Sequence, residues 1–392
     1  MKVASPIRTV VAARDDALES PVHDDRTAAI LGIALGVAFL TCFVTGLYSH
    51  LLQHPIVWLH PPTRPTWLYR ASQGLHVATG IATIPLLLAK LWSVFPKLFR
   101  WPIVEGPAHA LERALLVPLV CGSVFMLFTG VENIFRWYPW PFFFPRGHYS
   151  VAWITIGALV AHLGAKMATT RRALRRDPGP GAQVVVMPLK QGALGRRGFL
   201  AAAGGAAGLL TLTTVGETVT PLRRFILFAQ RTPDAGSQDL PVNRAAADAG
   251  IEEMATAASY RLAVTGNVGR ELALSVAEIE AMATTQATLP ISCVEGWSKS
   301  AHWQGTRLID LLRAAAVPDD QPVEVTVESL EPNGLYSTSV LDDRQSRDVD
   351  TLIATHLNGE RLDLDHGYPC RLIAPNRPGV LQTKWVGALV VR

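Results

Sequence analysis

Four stretches of this 392-residue chain stay apolar for the roughly 20 residues that a helix needs to cross a bilayer. They fall at about 28–48, 72–95, 112–131 and 149–169, and a milder fifth run follows at about 198–219. Gly32, Gly36, Pro85 and Pro118 lie inside them, as membrane helices tolerate. From about 256 the pattern changes. "YRLAVTG" alternates like a strand, "LSVAEIEAM" has helical spacing, and "TRLIDLLRAAAV" is an amphipathic helix. "PVEVTVES", "CRLIAP" and "WVGALVVR" add further strands. The pattern predicts an α-helical membrane bundle, four spans plus a fifth anchor span, followed by an α+β domain.

The expected divisions follow. Residues 1–26 are polar and aperiodic, a disordered cytoplasmic tail. Residues 27–170 form the four-span membrane domain, 171–197 a basic cytoplasmic loop and 198–219 the fifth span. Residues 220–255 form a linker, judged from "RTPDAGSQDLPVNRAAADAG" (231–250), and 256–392 the α+β domain. No fixed period repeats.

Composition agrees with a membrane protein carrying a soluble part: 49% hydrophobic, 17% charged, mean hydropathy +0.23. The net charge is only +4, and the arginines sit in loops beside apolar runs, which argues against a nucleic-acid partner. Lys2, Arg8, Arg14 and Arg26 lie in the tail, and Lys97, Arg100 and Arg113 after the second span. Arg171, Arg172, Arg175, Arg176, Lys190, Arg196 and Arg197 follow the fourth, against Arg64, Arg70, Arg136 and Arg146 on the other side. By the positive-inside rule the N-terminus is cytoplasmic and the C-terminal domain extracytoplasmic. "FRWYPWPFFFPRGHY" (135–149) fits an outer aromatic belt. Cys42, Cys121, Cys293 and Cys370 show neither metal-finger spacing nor a disulfide framework.

Taken alone, a cysteine such as Cys293 is most often a small buried hydrophobe. Its context is more specific. "CVEGWS", "HWQG", "LIDLL", "HLNGERLDLDHGYPCRLIAP" (356–375) and "QTKWVGALVV" (382–391) occur in that order. Together they resemble the molybdenum-cofactor domain of the sulfite oxidase superfamily. The resemblance runs over about 256–392 and is nearest to the bacterial branch containing the periplasmic methionine sulfoxide reductase catalytic subunit. It implies that the Cys293 thiolate binds molybdenum, a soft ligand for a redox-active metal. It places Ser329 against the cofactor and His366 where the reductase has a pterin-touching asparagine. It also places Arg371 on the pterin phosphate, with Lys384 and the backbone of Gln382 and Thr383 beside it. "TLPIS" before Cys293 offers no cation for an anionic substrate, which disfavours sulfite. Cys370 reads as packing.

"GRRGFLAAAGGAAGLLTLTTVG" (195–216) resembles a twin-arginine export signal. That machinery moves folded proteins, and a cofactor inserted in the cytoplasm requires folding before export. The fifth span then doubles as an uncleaved anchor; the alternative is an ordinary span with a positive-inside pair. The four preceding spans resemble the cytochrome b subunits of formate dehydrogenases and hydrogenases. This implies a haem b between His76 and His148. Ile30, Leu31 and Gly32 stand where an inner-haem histidine is expected, His23 is a poor substitute, and His162 near Lys166 reads as a polar contact. Interfacial histidines bonded to loop backbone are the alternative for the outer pair, and His50, His54 and His60 are ligands or surface residues.

The resemblances imply a multi-pass molybdopterin-dependent oxidoreductase of the bacterial cell membrane, transferring an oxygen atom outside the cytoplasm. Its electrons would pass through the membrane domain to or from a quinone or a redox carrier protein. A cofactor-free binding or scaffold protein, and a haem-only electron relay, are the other readings.

Overall fold

The computed structural model describes residues 21–56, 60–98, 104, 106–175, 195–227 and 235–392. The tail over 1–20, Arg100, the basic stretch 176–194 and residues 228–234 of the expected linker lie outside the described residues. The chain divides into two compact units, Met1–Val44 with His76–Thr214, and Thr45–Leu75 with Val215–Arg392.

Most of five helices make the first unit: α1 (Asp25–Gln53), α2 (Leu68–Leu98), α3 (Pro107–Phe135), α4 (Phe144–Arg175) and α5 (Arg196–Leu212). All five are long and apolar enough to cross a membrane, the last when taken with its 3-10 turn as Arg196–Glu217. The first four outrun the apolar windows read from the sequence, and Lys97 in the last turn of α2 suits its negative helix end. Asp24 accepts the Thr27 N–H at 2.6 Å at the start of α1, while Arg172 and Arg175 close α4. The regular α5 is shorter than expected and passes into a 3-10 turn at Val215–Glu217. The Thr213 and Thr214 hydroxyls turn back onto the Leu209 and Leu210 carbonyls at 2.9 and 2.7 Å, which bends and ends helices.

Leu31, Ala89 and Ala203 pack α1, α2 and α5 together through small contacts. Arg196, expected as part of an export signal, pairs with Asp24 at 2.9 Å, and Lys166 pairs with Glu112. Outward, the helices are bare and apolar: Val37, Leu88, Val117 and Val160 are each more than 60% exposed.

The second unit carries two five-stranded sheets. Short α6 (Ala246–Ala249) and α7 (Glu252–Thr256) lead into β1 (Leu262–Gly266), β2 (Leu272–Leu274) and α8 (Val276–Met282). The hairpin β3 (Thr285–Ser292) and β4 (Ser298–Arg307) is followed by α9 (Leu308–Ala314), β5 (Val325–Ser329), β6 (Thr338–Leu341) and α10 (Asp343–Arg347). The chain closes with β7 (Leu352–Leu357), β8 (Glu360–Arg361), β9 (Arg371–Ile373) and β10 (Val386–Val391). One sheet runs β2-β1-β10-β5-β6, with only β1 and β10 parallel. The other runs β3-β4-β7-β8, with β9 also pairing β7. A Ser275–Glu278 capping box starts α8. Leu262, Val264, Leu308, Leu311, Val325 and Leu389 fill the core between the first sheet and α9. A second core of Leu289, Trp303, Leu352 and Ile373 includes Cys293.

Within the expected linker, residues 235–255 pack into this unit. Leu240, Ala246, Ile251 and Ala255 are all buried, three of them against Trp385. Leu240 and Ile251 stand among Asp, Pro, Gly and Glu, and the Ala245–Ala247 run is too short to show a period, so a scan for periodicity sees only turn composition.

Candidate functional site

The site grows from a hairpin. β3 and β4 stay in register to Ser292 and Ser298, whose hydroxyls lie 2.7 Å apart. Residues 293–297 then reverse the chain. Cys293 N–H donates to the Trp297 carbonyl at 2.9 Å and Gly296 N–H to the Cys293 carbonyl at 3.1 Å. Gly296 has φ +105°, a region that favours glycine.

This loop holds Cys293 at 3% exposure. The Asn243 amide donates to its sulfur at 2.8 Å, and the Glu295 N–H points to it at 3.5 Å. Donors aimed at a sulfur suit a ligating thiolate and fix its direction. Trp297 Nε1 donates to the buried Glu295 carboxylate at 3.3 Å. Burial, and then the charge of Cys293, hold the Tyr336 phenol above the usual tyrosine range.

Arg371 comes from β9, its side chain only 1% exposed. Its guanidinium lies 5.1 Å from the Trp303 ring and donates to the His366 carbonyl at 2.9 Å and the Gln382 carbonyl at 3.1 Å. Its Nε has no hydrogen-bond partner and no carboxylate pairs with it among the described residues. Burial pushes its pKa down to about 9, a cost that a bound anion would offset.

His366 ends a 3-10 turn, Leu364–His366, and its Nε2 donates to the Ser237 carbonyl at 2.7 Å. Burial first and the Arg371 charge second push its pKa to about 4, so the ring is neutral near pH 7. Lys384 Nζ donates to the Asp365 carbonyl at 2.6 Å and the Arg244 carbonyl at 2.9 Å. The Ser329 hydroxyl, at the end of β5, donates to the Lys384 carbonyl at 2.9 Å. Gln382 uses its amide to bridge both backbone groups of Ala374 at 2.8 Å, and Thr383 pairs its hydroxyl with Ser339 at 2.8 Å. Both side chains are therefore engaged within the protein, and so are both Gln382 backbone groups and the Thr383 carbonyl.

Ser329, His366, Arg371, Gln382, Thr383 and Lys384 thus form one bonded neighbourhood, with Thr383 joined through the Leu372 N–H at 2.8 Å. Asn243, Glu295 and Tyr336 were missed by the sequence reading. Asn243 stands in turn-like "PVNR", where no local signal separates it from a connector.

In the first unit, the rings of His76 and His148 have centres 6.3 Å apart. His76 Nδ1 lies 3.0 Å from the Cys42 carbonyl and His148 Nδ1 3.1 Å from the Thr129 hydroxyl. Among the other histidines, His50 and His54 lie ring to ring at 4.6 Å, and His60 is 3.5 Å from Asp342. None of the four cysteines forms a disulfide, and Cys370 is fully buried beside the Tyr260 hydroxyl at 3.3 Å, which suits a packing role.

Residues 249–392 match the family described as "Oxidoreductase molybdopterin binding domain". Mitochondrial sulfite oxidase of Drosophila melanogaster is 34% identical over 118 residues, covering 28% of this chain and 20% of that protein. Sulfite oxidase of Gallus gallus is 31% identical over 159 residues, covering 34% and 35%. A solved structure, the sulfane dehydrogenase SoxCD from Paracoccus pantotrophus, is 25% identical over 34% of this chain and 38% of that one, with a TM-score of 0.30. The chain spans well under half the length of these relatives. The C-terminal part of the chain is therefore a molybdopterin-dependent oxidoreductase domain, similar to that of the sulfite oxidases.

Proposed function

We propose that the chain is a membrane-bound molybdenum-cofactor oxidoreductase carrying out oxygen-atom transfer on the extracytoplasmic side. The observation that carries this is Arg371: a fully buried arginine with an orphaned Nε and no acidic partner among the described residues, inside the matched domain. Such a group suits the phosphate of a pterin cofactor, for which a guanidinium fork is well shaped. Cys293 is the metal ligand, its sulfur oriented by Asn243. Lys384 adds positive charge near the phosphate, and the Gln382 and Thr383 backbone flanks it. Ser329 fixes the Lys384 carbonyl, and neutral His366 lends its carbonyl to Arg371. The cofactor, when bound, supplies a two-electron centre for oxygen-atom transfer. No cation stands in "TLPIS" before Cys293, which favours a neutral substrate over an anion such as sulfite.

The exposed apolar faces of the five long helices support a bilayer location in a bacterial cell membrane. Arg196 and Arg197, opening α5, serve as the twin-arginine signal for export of the folded, loaded domain. His76 and His148 would hold a haem b, which would supply a one-electron route to or from a quinone or carrier protein. The 6.3 Å between their ring centres leaves room for one metal shared by both imidazoles at bonds of about 2 Å. Both Nδ1 atoms meet backbone or hydroxyl oxygens, as ligating histidines require of their outer nitrogen.

The test is molybdenum analysis and an optical spectrum on one membrane-purified sample, beside Cys293→Ala. Near-stoichiometric molybdenum in the wild type, with activity lost in the variant, is the expected result. A properly matured wild type without molybdenum would refute the proposal.

A further inference from the structure

The segment between α1 and α2 belongs to the same compact unit as the oxidoreductase domain. Asn376, just beyond β9, accepts the Tyr69 N–H at 2.7 Å and donates to the Tyr48 hydroxyl at 3.0 Å and the Pro62 carbonyl. That N–H is one of the first in α2, which have no acceptor within the helix. Arg70 donates to the Thr218 carbonyl at 2.9 Å, the Thr220 hydroxyl at 3.0 Å and the Ser300 hydroxyl on β4 at 3.1 Å. Arg64 pairs with Asp348 and Asp350 at 2.7 and 2.6 Å.

These contacts converge on the cysteine loop from two sides. The Thr218 hydroxyl donates to the Gly296 carbonyl, and α2 lies so close to Thr218 that a Cβ on Gly74 would come within 2.7 Å of its methyl group. The turn after Asn376 abuts the Ser292 carbonyl, 2.9 Å from where a Cβ on Gly379 would stand. Between them Tyr69 is 1% exposed, with its hydroxyl 3.2 Å from Ser49 Oγ. Its phenol is within electrostatic reach of the Cys293 thiol.

We infer that Tyr69 is a positioning residue of the Cys293 site, closing one wall of it from the segment that joins the first two long helices. The Thr45–Leu75 segment then contributes to the site itself. Ser49 can donate to the phenol oxygen, which leaves the phenol proton for an oxygen atom carried by a substrate. This rests on the molybdenum reading above, so the test has one readout that needs the metal and one that does not.

The metal-independent readout uses the full chain, purified from cells unable to make the cofactor. Iodoacetamide labelling is followed at each cysteine by peptide mass spectrometry. Tyr69→Ala should speed labelling of Cys293 at least tenfold while Cys370 stays protected. Tyr69→Phe, which keeps the ring, should stay within twofold of wild type. An unchanged Cys293 rate in Tyr69→Ala, or equal labelling of Cys370, would overturn the wall. In loaded protein, Tyr69→Phe should retain molybdenum but shift the pH at which the Mo(V) paramagnetic resonance signal changes form. A signal matching wild type at every pH would overturn the role of the hydroxyl. A wild type lacking molybdenum would defeat the functional reading alone, with labelling still deciding the wall.

Discussion

Replacing Asn376 by Ala removes three hydrogen bonds at once, to Tyr69, Tyr48 and Pro62. Asn376 is 3% exposed, so water does not replace them. At about 1 kcal/mol each the loss is about 3 kcal/mol. Asn376 also has φ +51°, where alanine costs about 1 kcal/mol more than asparagine or glycine. A change of about 4 kcal/mol in a unit of about 200 residues lowers the melting temperature by roughly 8–16 °C. Asn376→Gly loses the same bonds without the backbone strain, and should fall about 1 kcal/mol short of alanine. Thermal unfolding of the detergent-purified chain, followed by tryptophan fluorescence, measures both. An Asn376→Ala melting temperature within 1–2 °C of wild type, or a glycine variant less stable than alanine, would refute the reasoning.

The pKa of His366 is held at about 4 against an ordinary 6.5, so the unfolded chain binds the extra proton first as pH falls. Its contribution, about 3 kcal/mol, is complete above pH 6.5 and lost towards pH 4; His366→Asn should flatten that acid arm in melts at pH 4–7. Arg371→Met removes a buried charge but strands two carbonyls, so cofactor-free stability should change by less than about 2 kcal/mol while molybdenum content drops at least tenfold. Arg371→Lys should not restore the metal, because lysine lacks the planar fork; inductively coupled plasma analysis decides. His76→Ala or His148→Ala should each abolish a reducible Soret band and leave molybdenum in place, read from optical spectra and metal analysis of the same sample.

What the sequence disclosed follows the range over which each signal acts. Long apolar runs and short alternating segments are local, so α1 to α4, β1, α8, α9, β5 and β10 could be read directly. The ordered string from Cys293 to Lys384 is a one-dimensional pattern too, and the fold gathers its later members into one bonded group. Asn243 and Tyr69 are different. They reach the cysteine loop across 50 and more than 200 positions, and neither stands in a local pattern that marks it. The 235–255 stretch reads as a connector because its short apolar runs give no period, although Leu240 and Ile251 are each nearly fully buried. Ser329, Gln382 and Thr383 were legible as positions, but only coordinates disclose that their side chains serve the protein's own backbone and hydroxyls.

The 307 residues that separate Tyr69 from Asn376 also set an order in time. On a growing chain the docking surface around Thr45–Leu75 is synthesised long before the domain that needs it. A domain loaded with cofactor elsewhere would meet Tyr69 only on arrival. A cofactor that entered before the two segments met would therefore find the Cys293 loop still open on the Tyr69 side.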